Sequence, residues 1–168
     1  KNAINYNCIN IMKIFLGDLV HTWTKSGIWT IPINIGYVAS YASKYLRKIG
    51  IECSFKIFKD SIKMMEAIKK EKPDVVGLSY YVWNMNLNRR VLDVVRTHVP
   101  NSLTIGGGPY FTNHNANEKG ARRFFSTHNN CDAYIVNQGE KGFLELIKKY
   151  NEVRNNLNKF RSIAVKGS

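Results

Sequence analysis

A group of polar and aromatic residues near the middle of the chain could bind a ligand. It follows residues 75–78, an apolar run bounded by helix breakers, which is typical of a parallel strand buried on both faces. Ser79 ends this run and could hydrogen-bond a ligand or cap the next turn. Tyr81 and Trp83 follow, and their rings could line a flat pocket or pack on a neighbouring helix.

A glycine-rich turn, TIGGGPYFT, follows the next apolar run. Gly107 and Gly108 carry no Cβ, so the backbone there can pass close to a ligand, and its amides could donate to a phosphate or an amide. A plain turn before Pro109 would use the same residues. The spacing is neither GxGxxG nor GxxxxGK(S/T), so it predicts neither a dinucleotide site nor a P-loop.

Two further loops carry residues with chemical potential. NQGEKGF places Gly139 and Glu140 at the start of a helix, where an acidic residue is favoured by the helix dipole with or without a ligand. His21 follows the first apolar run and could ligate a metal with Asp18 behind it. A lone histidine in such a loop is more often structural or exposed.

Five apolar runs alternate with helical patterns, and these elements must position the loops. The runs are residues 11–16, 52–58, 75–78, 103–105 and 133–136. The helical patterns cover about residues 35–49, 62–70, 87–99, 120–127 and 139–150. Such alternation predicts a parallel sheet with helices on both faces and right-handed crossovers.

The predicted fold is therefore α/β, a flavodoxin-like or Rossmann-like three-layer sandwich with a five-stranded parallel sheet in the order 2-1-3-4-5. In such sheets, ligands bind beyond the carboxyl ends of the strands, where the loops above would meet. We expect a loose leader at residues 1–10, the domain at 11–150, and a tail or the start of a linker at 151–168. A receiver domain would need an aspartate where Ser79 stands, so that function is rejected.

Composition narrows the possible partners. The net charge of +13 could serve nucleic acid or an anionic membrane, but the lysines are scattered and no dense basic run is interleaved with aromatics. Solvated helix faces are the favoured explanation. No apolar stretch is long enough to span a bilayer. The three cysteines, Cys8, Cys53 and Cys131, form no CxxC pair and favour a reducing, cytoplasmic setting.

Taken together, the loops resemble the cobalamin (vitamin B12)-binding domain that precedes the catalytic barrel in class B radical SAM enzymes. The resemblance runs from about residue 13 to residue 150, in the segments DLVHT, PINIGYVASY, GLSYYVWN, GGGPYFT and CDAYIVNQGEKGFLEL. In that family, a strand-end serine or its neighbour, a GGP turn and a GEGE-like turn recur in this order.

The resemblance implies that cobalamin binds at the carboxyl edge of the sheet, with the corrin over the loops and the nucleotide tail inserted into the domain. Carried over by position, the residues that contact the tail are Ser79, Gly107, Gly108 and Pro109. The other implied cofactor-binding residues are His21, Thr22, Tyr81, Trp83, Asn84, Thr112, Gln138, Gly139 and Glu140.

The sequence departs from the family at three points. Gln138 stands where glycine is usual, and Lys141 interrupts the acidic repeat. The DxHxxG motif of cobalamin mutases and methionine synthases is absent, because Asp18 and His21 are spaced differently. Many radical SAM relatives lack that histidine, so cobalamin is still implied. His21 as the cobalt ligand is the less favoured of its two roles, and no metal ligand is otherwise expected.

The resemblance also implies a partner, the radical SAM catalytic domain of the same polypeptide. This chain has no CxxxCxxC for a 4Fe–4S cluster, so S-adenosylmethionine and the cluster would belong to that other domain. The chain would be a non-catalytic part of an enzyme for methyl transfer or related carbon-centred chemistry. Two alternatives stay open: a basic nucleic-acid-binding α/β domain, and a vestigial interaction domain without a cofactor.

Overall fold

The structure is a computed structural model that describes residues 11–21, 31–111 and 117–153, together with the backbone of 163–166. The strands are β1 Met12–Gly17, β2 Cys53–Phe58, β3 Val75–Ser79, β4 Leu103–Gly107, β5 Ala133–Val136 and β6 Ile163–Lys166. The helices are α1 Ile33–Arg47, α2 Ser61–Glu71, α3 Met85–His98, α4 Glu118–Thr127 and α5 Gly139–Val153.

The order of the sheet is β2-β1-β3-β4-β5-β6, and all neighbours are parallel. The predicted five-stranded core and its 2-1-3-4-5 order are therefore confirmed. The sixth strand lies at the edge beside β5, in the segment for which the sequence predicted a tail or a linker. Ser79 at the end of β3 pairs with Gly107 at the end of β4, so the two predicted turns leave the sheet side by side.

Helices cover both faces of the sheet and divide the core into two layers. On one face, α1 and α5 pack over alternate strand residues such as Leu16, Ile105 and Ile135. On the other face, α2, α3 and α4 cover a second cluster that includes Val76 and Tyr134. Side chains alternate between the two faces along a strand, so every second residue contributes to the same cluster. Both clusters are apolar, as expected for a parallel sheet that helices cover on both faces.

Local signals explain where some elements begin. Asp60 caps α2, since its Oδ1 atom accepts from the backbone N–H groups of Ile62 and Lys63 at 2.8 and 3.2 Å. Asn84 precedes α3, but its side chain makes no capping hydrogen bond to that helix. Within the described ranges, none of the helices combines the length and the apolarity needed to cross a membrane.

Candidate functional site

A cleft of about 420 Å³ opens at the carboxyl edge of the sheet, between the strand ends and the N-terminal ends of α1 and α5. Its size falls in the range of roughly 300–1,000 Å³ that small-molecule sites occupy. We call it the strand-end cleft, and six residues form its floor: Leu16, Gly77, Ile105, Gly107, Ile135 and Phe143. It therefore lies on the α1/α5 face of the sheet, at the edge where the sequence predicted a ligand.

The glycine at the end of β4 gives this cleft its depth. A Cβ at Gly107 would have a single neighbour, the Ile135 carbonyl oxygen at 3.8 Å, so the space above this residue is open. A Cβ at Gly77 would lie 2.7 Å from Cδ2 of Leu16, which leaves no room for a side chain. The backbone at Gly107 is therefore open to a ligand, whereas the Leu16 side chain covers the backbone at Gly77.

The turn after β4 requires glycine at position 108. Gly108 has a φ of 108°, and a Cβ there would lie 3.0 Å from the Tyr80 carbonyl oxygen. The Gly107 carbonyl accepts from the Tyr80 N–H, and the Gly108 carbonyl accepts from the Tyr134 hydroxyl at 2.9 Å. These bonds hold the turn against the sheet, and Pro109 follows it into the wall of the cleft.

Ser79 contributes a hydroxyl to the same wall. The residue is only 8% exposed, and within the described ranges its hydroxyl makes no hydrogen bond. Its backbone carbonyl, by contrast, accepts from the side-chain amides of Asn84 and Asn88 at 3.0 and 2.9 Å. The hydroxyl is thus available to a ligand while the backbone beneath it is fixed.

The loop after β3 carries a stacked aromatic pair. The rings of Tyr81 and Trp83 lie 4.6 Å apart and nearly parallel, and Trp83 is 58% exposed. Tyr81 lines the cleft and its hydroxyl accepts from the Asn34 amide at 3.3 Å. Trp83 is not among the residues that line the cleft, so the structure brings one of these two predicted residues to the pocket and leaves the other beside it.

Asn84 lies beneath this loop rather than in the wall of the cleft. Its side chain is fully buried, and its amide donates to the carbonyls of Leu19 and Ser79. Its Oδ1 atom accepts from the Tyr81 N–H at 2.9 Å. The geometry gives Asn84 a supporting position, because it joins the loops after β1 and β3 and has no surface that a ligand could reach.

His21 joins the same two loops. Its Nε2 atom lies 3.0 Å from the Trp83 carbonyl oxygen, and since a carbonyl only accepts, Nε2 must carry the proton. That nitrogen has no lone pair to offer a metal in this arrangement. Among the described residues, no group of three or more His, Cys, Asp or Glu side chains could hold a metal ion.

The turn before α5 completes the rim. Gln138, Gly139 and Glu140 all line the cleft, as does Asn137, whose φ of 69° is in the left-handed region that asparagine tolerates well. The titratable side chains that line the cleft are Tyr81 and Glu140. The described residues of the cleft therefore include no nucleophile paired with a base, and their arrangement suits binding.

Two predicted residues, Thr22 and Thr112, lie outside the described residues. The sequence analysis missed the apolar floor, because Leu16, Ile105 and Ile135 have the pattern of ordinary core positions. A signal was present in the strand ends: serine or glycine replaces a bulky residue at positions 79 and 107, which pair with each other on one face of the sheet. Such small residues beside apolar neighbours indicate a place where a ligand completes the core.

Comparison with protein families finds one model that matches the greater part of the chain. The model, described as B12 binding domain, matches residues 25–147. A similar relative is the cobalamin-dependent radical SAM methyltransferase TokK of Streptomyces tokunonensis, 36% identical over 76 residues, which is 45% of this chain and 10% of TokK. Another is the 2-(S-pantetheinyl)-carbapenam-3-carboxylate methyltransferase of Streptantibioticus cattleyicolor, 29% identical over 70% of this chain and 16% of that protein.

Solved structures with the same fold include proteins of different function. The cobalamin-dependent S-adenosylmethionine radical enzyme OxsB, with aqua-cobalamin and S-adenosylmethionine bound, matches 86% of this chain and 19% of its own at a TM-score of 0.59 and 18% identity. The response regulator domain of Thermotoga maritima CheB matches 86% of this chain and 97% of its own at a TM-score of 0.53 and 14% identity. These likenesses show the fold alone. The chain spans between 10% and 16% of the curated relatives that it matches.

Proposed function

Because the chain belongs to the family of B12 binding domains, we propose that the strand-end cleft holds the nucleotide tail of cobalamin, with the corrin lying over the loops above it. The observation that carries this proposal is the open space over Gly107, in a floor that is otherwise apolar. A flat heterocyclic base fits such a floor, since it would bury carbon surface and meet few polar groups.

The residues present suit this role. The Ser79 hydroxyl could hydrogen-bond a nitrogen of the base, and Gly107, Gly108 and Pro109 would let the backbone pass close to the nucleotide. The other residues proposed for the rim are Tyr81, Gln138, Gly139 and Glu140.

The loop after β3 would extend the site beyond the wall of the cleft. The pair Tyr81–Trp83 would offer an apolar surface, while His21 and Asn84 would hold the loop in place. Thr22 and Thr112 stay predictions from the resemblance.

When bound, cobalamin supplies a cobalt centre that can carry an alkyl group. The chain's own residues bind and orient the cofactor, and the apolar floor excludes water from around the base. Among the described residues of the lining there is no acid–base pair, and their proposed role is to position the cofactor. The catalytic steps would then depend on residues outside this chain.

We propose further that the longer protein is a cobalamin-dependent radical SAM enzyme, with methyl transfer as its expected chemistry. The names of the two relatives support this, and so does the small share of each that the chain spans. S-adenosylmethionine and a 4Fe–4S cluster would bind in the catalytic domain of the same polypeptide, which makes that domain the partner. The free thiols of Cys53 and Cys131 fit a reducing, cytoplasmic setting.

A binding experiment tests the role of the cleft. Hydroxocobalamin mixed with the purified chain should co-elute on gel filtration and give corrin absorbance in the protein peak. Gly107→Val should weaken binding at least about tenfold, because the new side chain enters the space proposed for the base. Valine favours a strand, so the fold should persist.

Gly36→Val is the matched control, since a Cβ at Gly36 meets nothing within 4 Å and the residue does not line the cleft. Equal binding by the Gly107→Val protein and the unaltered chain would contradict the proposed site. The wider proposal is tested on the longer protein by its iron and sulfide content and by reductive cleavage of S-adenosylmethionine. Absence of a cluster after anaerobic reconstitution would contradict it.

A further inference from the structure

We propose that the strand-end cleft selects among cobalamin-type cofactors by the chemistry of the nucleotide base, and that it takes a benzimidazole base in preference to a purine. This inference rests on the proposed function, because it assumes that the base enters the cleft. It concerns a property of this chain's own floor residues, and it can be measured by binding alone.

The floor offers carbon surface almost everywhere. The side chains of Leu16, Ile105, Ile135 and Phe143 are all buried members of one apolar cluster. At Gly107 the floor is bare backbone. A base lying here would therefore contact methyl, methylene and ring carbon over most of its area.

Polar groups are few at this depth, and several are already engaged. The carbonyls of Gly107 and Gly108 accept from the Tyr80 N–H and the Tyr134 hydroxyl. The amides and carboxylate of Asn137, Gln138 and Glu140 belong to the turn at the rim, and these residues are exposed or half-buried. The Ser79 hydroxyl is thus the side-chain group at the strand ends that can pair with a base.

One hydroxyl matches a benzimidazole better than a purine. Dimethylbenzimidazole in cobalamin presents one ring nitrogen as an acceptor, and its two methyl groups suit the apolar floor. Adenine adds an amino group and further ring nitrogens, which lose their water on entry and would find no side-chain partner among the described residues of the floor. By this reasoning, the cofactor with an adenine base should bind about ten- to a hundredfold more weakly.

The experiment compares three corrinoids on the same purified chain by equilibrium dialysis, with corrin absorbance as the readout. They are hydroxocobalamin, the corresponding cobamide with an adenine base, and diaquacobinamide, which lacks the nucleotide. We expect hydroxocobalamin to bind at least tenfold more tightly than either of the others.

The outcomes separate the two proposals. If the adenine form binds within threefold of hydroxocobalamin while both exceed cobinamide, the base enters the cleft without selection and the inference is overturned. If all three bind equally, the tail makes no use of the cleft, which overturns the inference and the proposed site together. If none binds, the proposed function fails and the inference fails with it.

A variant pair tests the floor directly. Ile105→Thr keeps a β-branched side chain in β4 but replaces the ethyl group of isoleucine with a hydroxyl, which makes the floor smaller and more polar. It should reduce the preference for hydroxocobalamin over the adenine form several-fold. Ile14→Thr places the same change on the same face of β1, where Ile14 is buried but does not line the cleft, and should leave the preference unchanged.

The preference is a ratio measured on one preparation, so a misfolded fraction cancels from it. If Ile105→Thr does not fold, the three-corrinoid comparison on the unaltered chain decides the question. A preference that stays the same in a folded Ile105→Thr protein would overturn the assignment of the floor.

Discussion

Two neighbouring glycines in β4 are needed for different reasons, because they face opposite sides of the sheet. Gly107 faces the cleft, where a side chain would take the place proposed for a ligand. Gly106 faces the aromatic cluster under α4, where a Cβ would lie 2.6 Å from Cδ2 of Tyr134 and 3.2 Å from Cε2 of Tyr80. At position 106 glycine is needed because the rings of Tyr80 and Tyr134 leave no room for a side chain. At position 107 glycine is needed to keep open the space proposed for the ligand.

Gly106→Ala should lower the free energy of unfolding by about 1–3 kcal/mol, because both rings are buried and have little room to move. Urea denaturation followed by circular dichroism measures the change. Gly36→Ala is the control and should be neutral or stabilising by up to about 1 kcal/mol, since alanine is favoured over glycine in a helix. A Gly106→Ala protein as stable as the unaltered chain would contradict the packing argument.

His128 gives the domain a pH-dependent stability. Its Nδ1 atom donates to the Phe124 carbonyl at 3.1 Å, while Nε2 is buried and has no hydrogen-bond partner among the described residues. Burial lowers the pKa of His128, the hydrogen bond to Phe124 opposes this shift, and the charge of Arg89 adds to it. The native state therefore holds this imidazole neutral.

The sign of the effect follows from the two pKa values. An unfolded histidine has a pKa of about 6.5, and the folded pKa lies below it, so the unfolded chain binds the proton first. The free energy of unfolding should fall as the pH drops below about 6.5, with a slope of at most about 1.4 kcal/mol per pH unit from this group.

His128→Phe keeps a flat ring against Phe124 and should flatten the pH dependence between pH 6.5 and the folded pKa. Urea titrations at several pH values compare the two proteins, and the difference between the curves isolates His128 from other groups. Parallel curves would show that the imidazole titrates equally in both states.

Single residues differ in how visible they are to sequence reasoning. Ser79 and the GGP turn were placed correctly, because polar or glycine residues that end apolar runs mark strand ends. Asn84 was expected in the pocket, but its hydrogen bonds to Leu19 and Tyr81 depend on where distant loops meet. The floor residue Ile135 was missed, because an apolar side chain in a strand has the same pattern whether a neighbour or a ligand covers it.

At the scale of elements, a buried ion pair fastens α3 to the amino edge of the sheet. Asp132, just before β5, pairs with Arg96 of α3 and accepts from the backbone N–H of Thr104 at 2.9 Å. Arg96 also donates to the carbonyls of Ser102 and Asn130 at 3.0 and 3.1 Å. One guanidinium thus satisfies carbonyls in the loops before both β4 and β5.

Asp132→Ala should lower the free energy of unfolding by about 3–5 kcal/mol, because it leaves a mostly buried guanidinium without its carboxylate. Glu145→Ala removes an exposed partner of Lys148 and should change stability by less than about 1 kcal/mol. Chemical denaturation measures both. Equal effects of the two substitutions would contradict the assigned role of the buried pair.

Element boundaries were predicted well where breakers bound an apolar run, as at β3 and β5. The strand β6 was not predicted, because Ile163–Lys166 is short and follows a charged segment. A strand added at an edge depends on the neighbour that offers its hydrogen bonds, and a local pattern does not contain that information.

At the scale of the whole molecule, a ligand in the cleft would contact elements that are far apart in the sequence, from β1 to α5. The floor combines Leu16 of β1 with Ile135 of β5 and Phe143 of α5. A cofactor that binds the native state alone would raise the free energy of unfolding in proportion to the logarithm of its concentration. The stabilisation would be spread over the sheet because four strands contribute to the cleft.

Hydroxocobalamin at a hundred times its dissociation constant should add about 2.7 kcal/mol to the free energy of unfolding. Urea denaturation with and without the cofactor measures this gain. In Gly107→Val, whose affinity should be at least about tenfold lower, the same concentration should add at most about 1.4 kcal/mol, while the stability without ligand is kept. An equal gain in that variant would place the binding site elsewhere on the chain.

The spread of the floor from β1 to α5 also bears on biosynthesis. A ribosome releases β1 early, but Phe143 follows almost the entire domain, so no nascent fragment that lacks the last helix contains a finished cleft. The cofactor would have to wait until α5 has left the exit tunnel. Loading would thus follow the synthesis of α5, and translation would yield the empty form of this domain first.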